Sequence, residues 1–236
     1  MKTYTFHPAA TRGQVDFGWL KSAHSFSFGR WQNPEKTRFG LLRVLNDDQV
    51  APGQGFGTHP HDNMEIISIP LSGDLAHRDS MGNETVIRQN DVQIMTAGTG
   101  VQHSEYNHSK IDPVHFLQIW VFPKLRHLTP RYDQKTFNPT DRQNRFQTIV
   151  SPDGKEGVQI NQEAWFSLGR FEAGQKISYP THLAGSGIYA FLLEGEAAID
   201  EKPLQRRDAL GISGADALEL HFTADSEILM IEIPMD

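Results

Sequence analysis

Two short segments of this chain carry histidine and glutamate at a spacing that could hold a metal ion. The first runs Gly53-Gln-Gly-Phe-Gly-Thr-His59-Pro-His61-Asp-Asn-Met-Glu65, and the second Gly98-Thr-Gly100-Val-Gln-His103-Ser-Glu105. Residues two apart on a strand send their side chains to the same face. His59 with His61, and His103 with Glu105, therefore make two pairs of donors, and two strands offering such pairs to one interior can close a shell around a single ion. Three neutral imidazoles and one carboxylate suit Fe, Mn, Ni, Cu or Zn, whereas Ca and Mg prefer oxygen ligands throughout. One His-x-His arises readily by chance in a chain with 11 histidines; two donor pairs, each behind a glycine-rich turn, are harder to attribute to chance. His7, His24, His77, His108, His115, His127, His182 and His221 show no pairing that completes a second site, and are read as surface or hydrogen-bonded core groups.

Strands must position these residues, since short β-branched or aromatic runs dominate. Gly40–Leu45, Met64–Leu71, Val92–Met95 and Phe116–Phe122 are each bounded by Gly, Pro, Asn or Asp. Turn signals recur at Pro52-Gly53, Ser72-Gly73-Asp74, Met81-Gly82-Asn83, Asp153-Gly154 and Glu194-Gly195, a rhythm that predicts a sandwich or barrel. The second half reads as a worn copy of the first: Thr181-His182 followed by Ile188–Gly195 parallels Thr58-His59 followed by Glu65–Gly73. The polar stretch Pro123–Gln147 is the expected linker, with the boundary near residue 130. In the second half Leu183, Ala184 and Ala217 are the expected interior replacements for lost ligands.

Composition excludes several classes. With no cysteine there is no disulfide framework, thiolate metal site or thiol nucleophile. Residues 1–130 hold equal numbers of basic and acidic side chains, so the whole net charge of −7 lies in 131–236, which argues against direct nucleic-acid binding. No apolar run reaches the roughly 20 residues that span a bilayer, and the first residues lack a signal-peptide core, so the expectation is a cytoplasmic protein with no membrane attachment.

Gly53-x5-His59-x-His61-x3-Glu65 resembles the first cupin motif and Gly98-x-Gly100-x2-His103-x3-Asn107 the second, although Gly98 stands where many cupins carry proline. The surrounding wording, Phe17–Leu20, His24–Phe28, Leu42–Asn46, Gly57–His61, Asp79–Asn83 and Gly98–Glu105, resembles the pirin family of bicupins over most of residues 12–132, with a looser likeness to the end. The resemblance implies an all-β chain of two cupin-type antiparallel β-barrels, 1–130 with a metal site and 131–236 degenerate and metal-free. It implies one divalent transition metal per chain, Fe(II) foremost, with Mn, Ni, Co, Cu or Zn as alternatives, held by His59, His61, His103 and Glu105. Glu65, by its parity with His59 and His61, and Gln118, on an apolar strand, are candidates for supporting places around the site or its pocket.

The same resemblance implies two functions. One is a quercetin 2,3-dioxygenase-like activity on a flavonol or related enolic aromatic with O2, in which Glu105 also accepts the substrate's hydroxyl proton. The other is a redox-responsive regulator that binds a protein partner, with the metal as sensor because cysteine is absent.

Overall fold

The computed structural model describes residues 1–236, whose regular structure is all strand apart from two short 3-10 turns, Ala9–Thr11 and Pro139–Arg142. The strands of the first part are β1 (Thr3–His7), β2 (Gly13–Asp16), β3 (Leu20–His24), β4 (Leu42–Val50), β5 (Gly55–His61), β6 (Glu65–Ser72), β7 (Leu75–Asp79), β8 (Glu84–Ile87), β9 (Asp91–Thr96), β10 (Val101–Asn107) and β11 (Val114–Val121). There follow β12 (Arg131–Thr136), β13 (Arg145–Ser151), β14 (Val158–Gln159), β15 (Trp165–Phe171), β16 (Lys176–Pro180), β17 (Gly187–Glu194), β18 (Glu196–Ile199), β19 (Lys202–Gln205), β20 (Ala209–Ser213), β21 (Ala217–Phe222) and β22 (Ser226–Ile233). No helix is long and apolar enough to cross a membrane.

A seven-stranded sheet, β12-β9-β6-β11-β4-β3-β2, faces a four-stranded one, β5-β10-β7-β8; the arrangement repeats as β1-β20-β17-β22-β15-β13-β14 facing β16-β21-β18-β19. Every pairing but β13–β14 is antiparallel. The repeat read from the sequence is thus a repeat of architecture, and all-β organisation in two like halves is what the strand and turn rhythm predicted.

The central strands lack polar alternation because both of their faces are buried. On β11, Leu117, Ile119 and Val121 join a core of 25 residues that also takes Phe166, Phe191, Leu229 and Ile231, so the two long sheets pack face to face and this core belongs to both halves. The alternate residues, Gln118 and Trp120, point into the first half's own interior, where they line the pocket described below. A second core, with Ile188, Leu218, Leu220 and Met230, fills the corresponding interior of the second half.

The halves exchange their leading strands. β1 pairs with β20, so the chain's first strand edges the second half's sheet. β12, immediately past residue 130, pairs with β9 and edges the first half's sheet. The expected boundary therefore marks a turn in the chain order, while hydrogen bonding crosses it in both directions. The tail fastens the same junction, with the Leu41 amide donating to the Pro234 carbonyl at 3.0 Å.

Candidate metal centre

β5 and β10 lie side by side with His103 opposite His59, and a bulge between His103 and Glu105 shifts the register so that Glu105 meets Phe56. The rings of His59, His61 and His103 converge, with centroids 4.8 Å (His59–His61), 4.5 Å (His59–His103) and 4.9 Å (His61–His103) apart. One nitrogen from each lies within 4.8 Å of the others. His59 Nδ1 donates to the Gly57 carbonyl at 2.7 Å, so its other nitrogen, Nε2, is the atom left to act as a ligand. His61 Nε2 and both nitrogens of His103 are buried without a hydrogen-bond partner. Such a group costs about 1–3 kcal/mol when left unpaired. Burial pushes His61 down to about 4 and His103 to about 3, with neighbouring histidines adding to the shift, so both rings are neutral at pH 7. Three converging imidazoles, two of them neutral with orphaned nitrogens, fit a transition-metal ion.

Glu105 is buried beside His103, its Oε1 accepting from Ser68 Oγ at 2.9 Å and its Oε2 from Gln118 Nε2 at 2.6 Å. These bonds span the two facing sheets, from β6 and β11 to β10. The carboxylate groups most closely with His103 and His77. Around the imidazoles is a pocket of about 60 Å³ with Phe28, Phe56 and Trp120 as aromatic wall and Asn46, Asp48, Glu105 and Gln118 as polar wall. Trp120 meets His61 edge-on at 4.9 Å and Phe28 at 5.3 Å. Burial raises the Asp48 carboxyl to about 7, with the charges of Asp47 and Glu105 adding to the effect. A larger cavity, about 260 Å³, lies between the halves, but its one imidazole, His115, is already bonded to Asp47.

The structure brings together five of the six residues singled out in the sequence: His59, His61, His103, Glu105 and Gln118. Glu65 is not among them. Asn63, with φ of 47°, turns the chain between β5 and β6, so parity counted from His61 does not carry over. On β6, Ser68 faces the pocket side, whereas Glu65, like Ile67 and Ile69, faces the other half. Glu65 Oε2 accepts from Thr96 Oγ1 at 3.0 Å and from the Asn161 amide at 3.1 Å. It ties the halves together and does not support the metal site.

Sequence reasoning left His77 among surface or hydrogen-bonded core groups, the second of which it is, and did not place Asp79, Asn46, Asp48 or Ser68 near the site. His77 Nε2 donates to Asp79 Oδ2 at 3.0 Å, both side chains fully buried. Burial alone would raise Asp79, but bonds from His77 and Asn83 outweigh it and hold the carboxyl below its usual range. The signal was present: His77-x-Asp79 has the same two-residue spacing as the recognised pairs, and Asn46-Asp47-Asp48 interrupts an otherwise apolar strand.

Strand for strand, the second half replaces the donors. Its register puts Leu218 where the first half has His103, Leu220 for Glu105, Ile199 for His77, Met230 for Gln118 and Ala190 for Ser68, all buried. Leu183, Ala184 and Ala217 are not these interior positions; Ala184 is exposed and the other two half-buried. Tyr179, rather than His182, occupies the place of His59, and His182 instead bonds Glu232 through Nδ1 at 2.8 Å.

Two like halves, each a long antiparallel sheet folded over a short one, with a three-imidazole cluster in the first, define a bicupin. A family model described as Pirin matches residues 5–121, and one described as Quercetinase C-terminal cupin domain matches residues 148–233. The chain is 37% identical over 231 residues to a quercetin 2,3-dioxygenase of Escherichia coli (strain K12), covering 96% of each. It is 34% identical over 222 residues to a pirin-like protein of Caulobacter vibrioides, covering 93% of this chain and 95% of that one. Among solved structures it superposes on YhhW from Escherichia coli with TM-score 0.94 at 35% identity, covering 98% of each chain. The bacterial pirin YhhW in complex with nickel(II) superposes with TM-score 0.93 at 34% identity, covering 98% of this chain and 99% of that one. The chain belongs to the pirin family.

Proposed function

We propose that this chain is a metal-dependent dioxygenase that opens a flavonol such as quercetin, or a related enolic aromatic, with O2. The observation that carries the reading is the convergence of three imidazoles, His61 and His103 among them with buried nitrogens that have no protein partner, set against an aromatic-walled pocket. The quercetin 2,3-dioxygenase named among its relatives supports the choice of substrate class.

His59, His61, His103 and Glu105 would hold one divalent ion, Fe(II) foremost, in the half spanning residues 1–130. The second half, built mainly from residues 131–236, would hold no metal, because leucine, isoleucine and methionine occupy the donor positions. When bound, the ion supplies Lewis acidity and a template for the enolic oxygen and O2. The Gly57 carbonyl keeps the His59 lone pair aimed inward. Glu105 takes the substrate's hydroxyl proton, and Ser68 and Gln118 hold its two oxygens in place for that transfer. The enclosed volume, about 60 Å³, admits the oxygenated edge of such a molecule, and Phe28, Phe56 and Trp120 flank the rest of the rings and exclude water.

The test is to load metal-free protein with Fe(II), Mn(II), Ni(II), Co(II) or Cu(II), add quercetin under air, and follow flavonol absorbance together with carbon monoxide. Turnover with at least one metal, lost in His103→Ala, is the expected result. Binding of one ion per chain with no turnover of any flavonol would overturn the enzymatic reading and favour a regulator that engages a protein partner.

A further inference from the structure

His103 stands between two sets of groups, because β10 lies between β5 and β7. β5 supplies His59 and His61 on one side; β7 supplies His77, opposite Glu105, and Asp79, opposite His103. The His77 and His103 ring centroids are 5.4 Å apart, and ligand-capable atoms of His77, His103 and Glu105 lie within 4.8 Å of one another.

The protons can be assigned. Asp79 already accepts from the Met81 and Asn83 amides and from Asn83 Nδ2, so it offers His77 an acceptor only, and His77 Nε2 carries the hydrogen. In the neutral ring Nδ1 is then a bare lone pair. That nitrogen is buried without a partner, as are both nitrogens of His103. An imidazole that gives one nitrogen to an ion carries hydrogen on the other, and that N–H needs an acceptor in a dry interior. Glu105 is committed to the ion and the substrate's proton in the reading above, with its oxygens held by Gln118 and Ser68. Tyr132 packs on His77 at 4.8 Å, its hydroxyl pinned by Thr85 and Gln134, so the His77 ring is held in place.

We propose that His77, held by Asp79, is a positioning residue for the metal centre: its Nδ1 accepts the N–H of His103's non-coordinating nitrogen and so fixes the tautomer and aim of that ring. The inference rests on the reading of His103 as a ligand. Losing such a partner weakens metal binding by roughly 10–100-fold.

Zn(II) affinity, measured by chelator competition, tests this without any assay of turnover. His77→Leu should bind Zn(II) about 10–100-fold more weakly than the unaltered chain, and His77→Gln, whose amide oxygen can take the same N–H, should stay within about threefold. Unchanged affinity in His77→Leu, or equal losses in both variants, overturns the hydrogen bond while leaving the ligand set intact. Unchanged affinity in His103→Ala removes the ligand assignment and this inference together. Should His77→Leu fail to fold, long-range ¹H–¹⁵N spectra of the Zn(II)-loaded unaltered chain decide the matter. The expected pattern is Nε2–H on His77 and a proton on the His103 nitrogen that does not bind zinc; a His77 protonated at Nδ1, or itself bound to zinc, overturns the proposal.

Discussion

Glu65 and Glu105 are both buried carboxylates on strands of the first half, yet their partners give them opposite roles. Glu105 sits beside His103 and His77, and in the proposed ligand set it is the one anionic donor, so Glu105→Gln should lower metal content well below one ion per chain, read by elemental analysis. Glu65 accepts from Thr96 and Asn161, and its pKa is raised by burial while those bonds oppose the shift. Glu65→Gln should therefore keep the metal but turn an amide N–H₂ toward donors, costing about 1–3 kcal/mol and lowering the melting temperature by several degrees. The convergence of His59, His61 and His103 was legible because two-residue spacing survives any twist of a single strand. The place of Glu65 was not, because one turn with a left-handed residue stands between it and His61. His77 was legible only as a surface or hydrogen-bonded core group, because the sequence does not show that β7 lies beside β10.

At the scale of the element, β11 shows how one strand serves two interiors. Leu117 faces the core shared by both halves, while its neighbour Gln118 holds Glu105. Leu117→Ala should cost about 2–5 kcal/mol with metal affinity unchanged, and Gln118→Leu should weaken metal binding with a smaller effect on stability; thermal unfolding and Zn(II) titration of the two variants separate these. The strands themselves were readable from β-branched runs and turn residues. Their doubled burial was not, since a continuous apolar run does not say what covers each face. The worn repeat was visible too, but aligning Thr181-His182 with Thr58-His59 misplaced the lost ligands, because strand register and not sequence likeness puts Tyr179 opposite Leu218.

Across the whole molecule, Asp47 joins segments far apart in the chain. It accepts from Arg12 Nη1 at 3.2 Å and from His115, and pairs with Arg207 of the second half at 3.4 Å. Burial opposes its ionisation, but the bond from His115 and the charges of Arg207, His115 and Arg12 prevail and hold it at about 2, against an ordinary 3.8. A carboxyl depressed on folding stabilises the protein above its unfolded value and loses that contribution as pH falls through the folded one. Its share, about 2 kcal/mol, should be complete at neutral pH and vanish between roughly pH 4 and 2. Asp47→Asn should lower stability at pH 7 by a similar amount and flatten that part of the acid unfolding curve. Removing residues 1–8 strips β1 from β20 and bares a sheet edge, so light scattering should show association alongside a lower melting temperature.

The pairing of β1 with β20 also sets a schedule for synthesis. Thr3–His7 leaves the ribosome about two hundred residues ahead of its partner Ala209–Ser213. At common elongation rates that is roughly 10–40 s. During that interval the leading strand has no hydrogen-bonding neighbour, while the donor strands β5 and β10 of the first half are already out. The imidazole cluster can thus assemble on a nascent chain in which β1 still waits for β20.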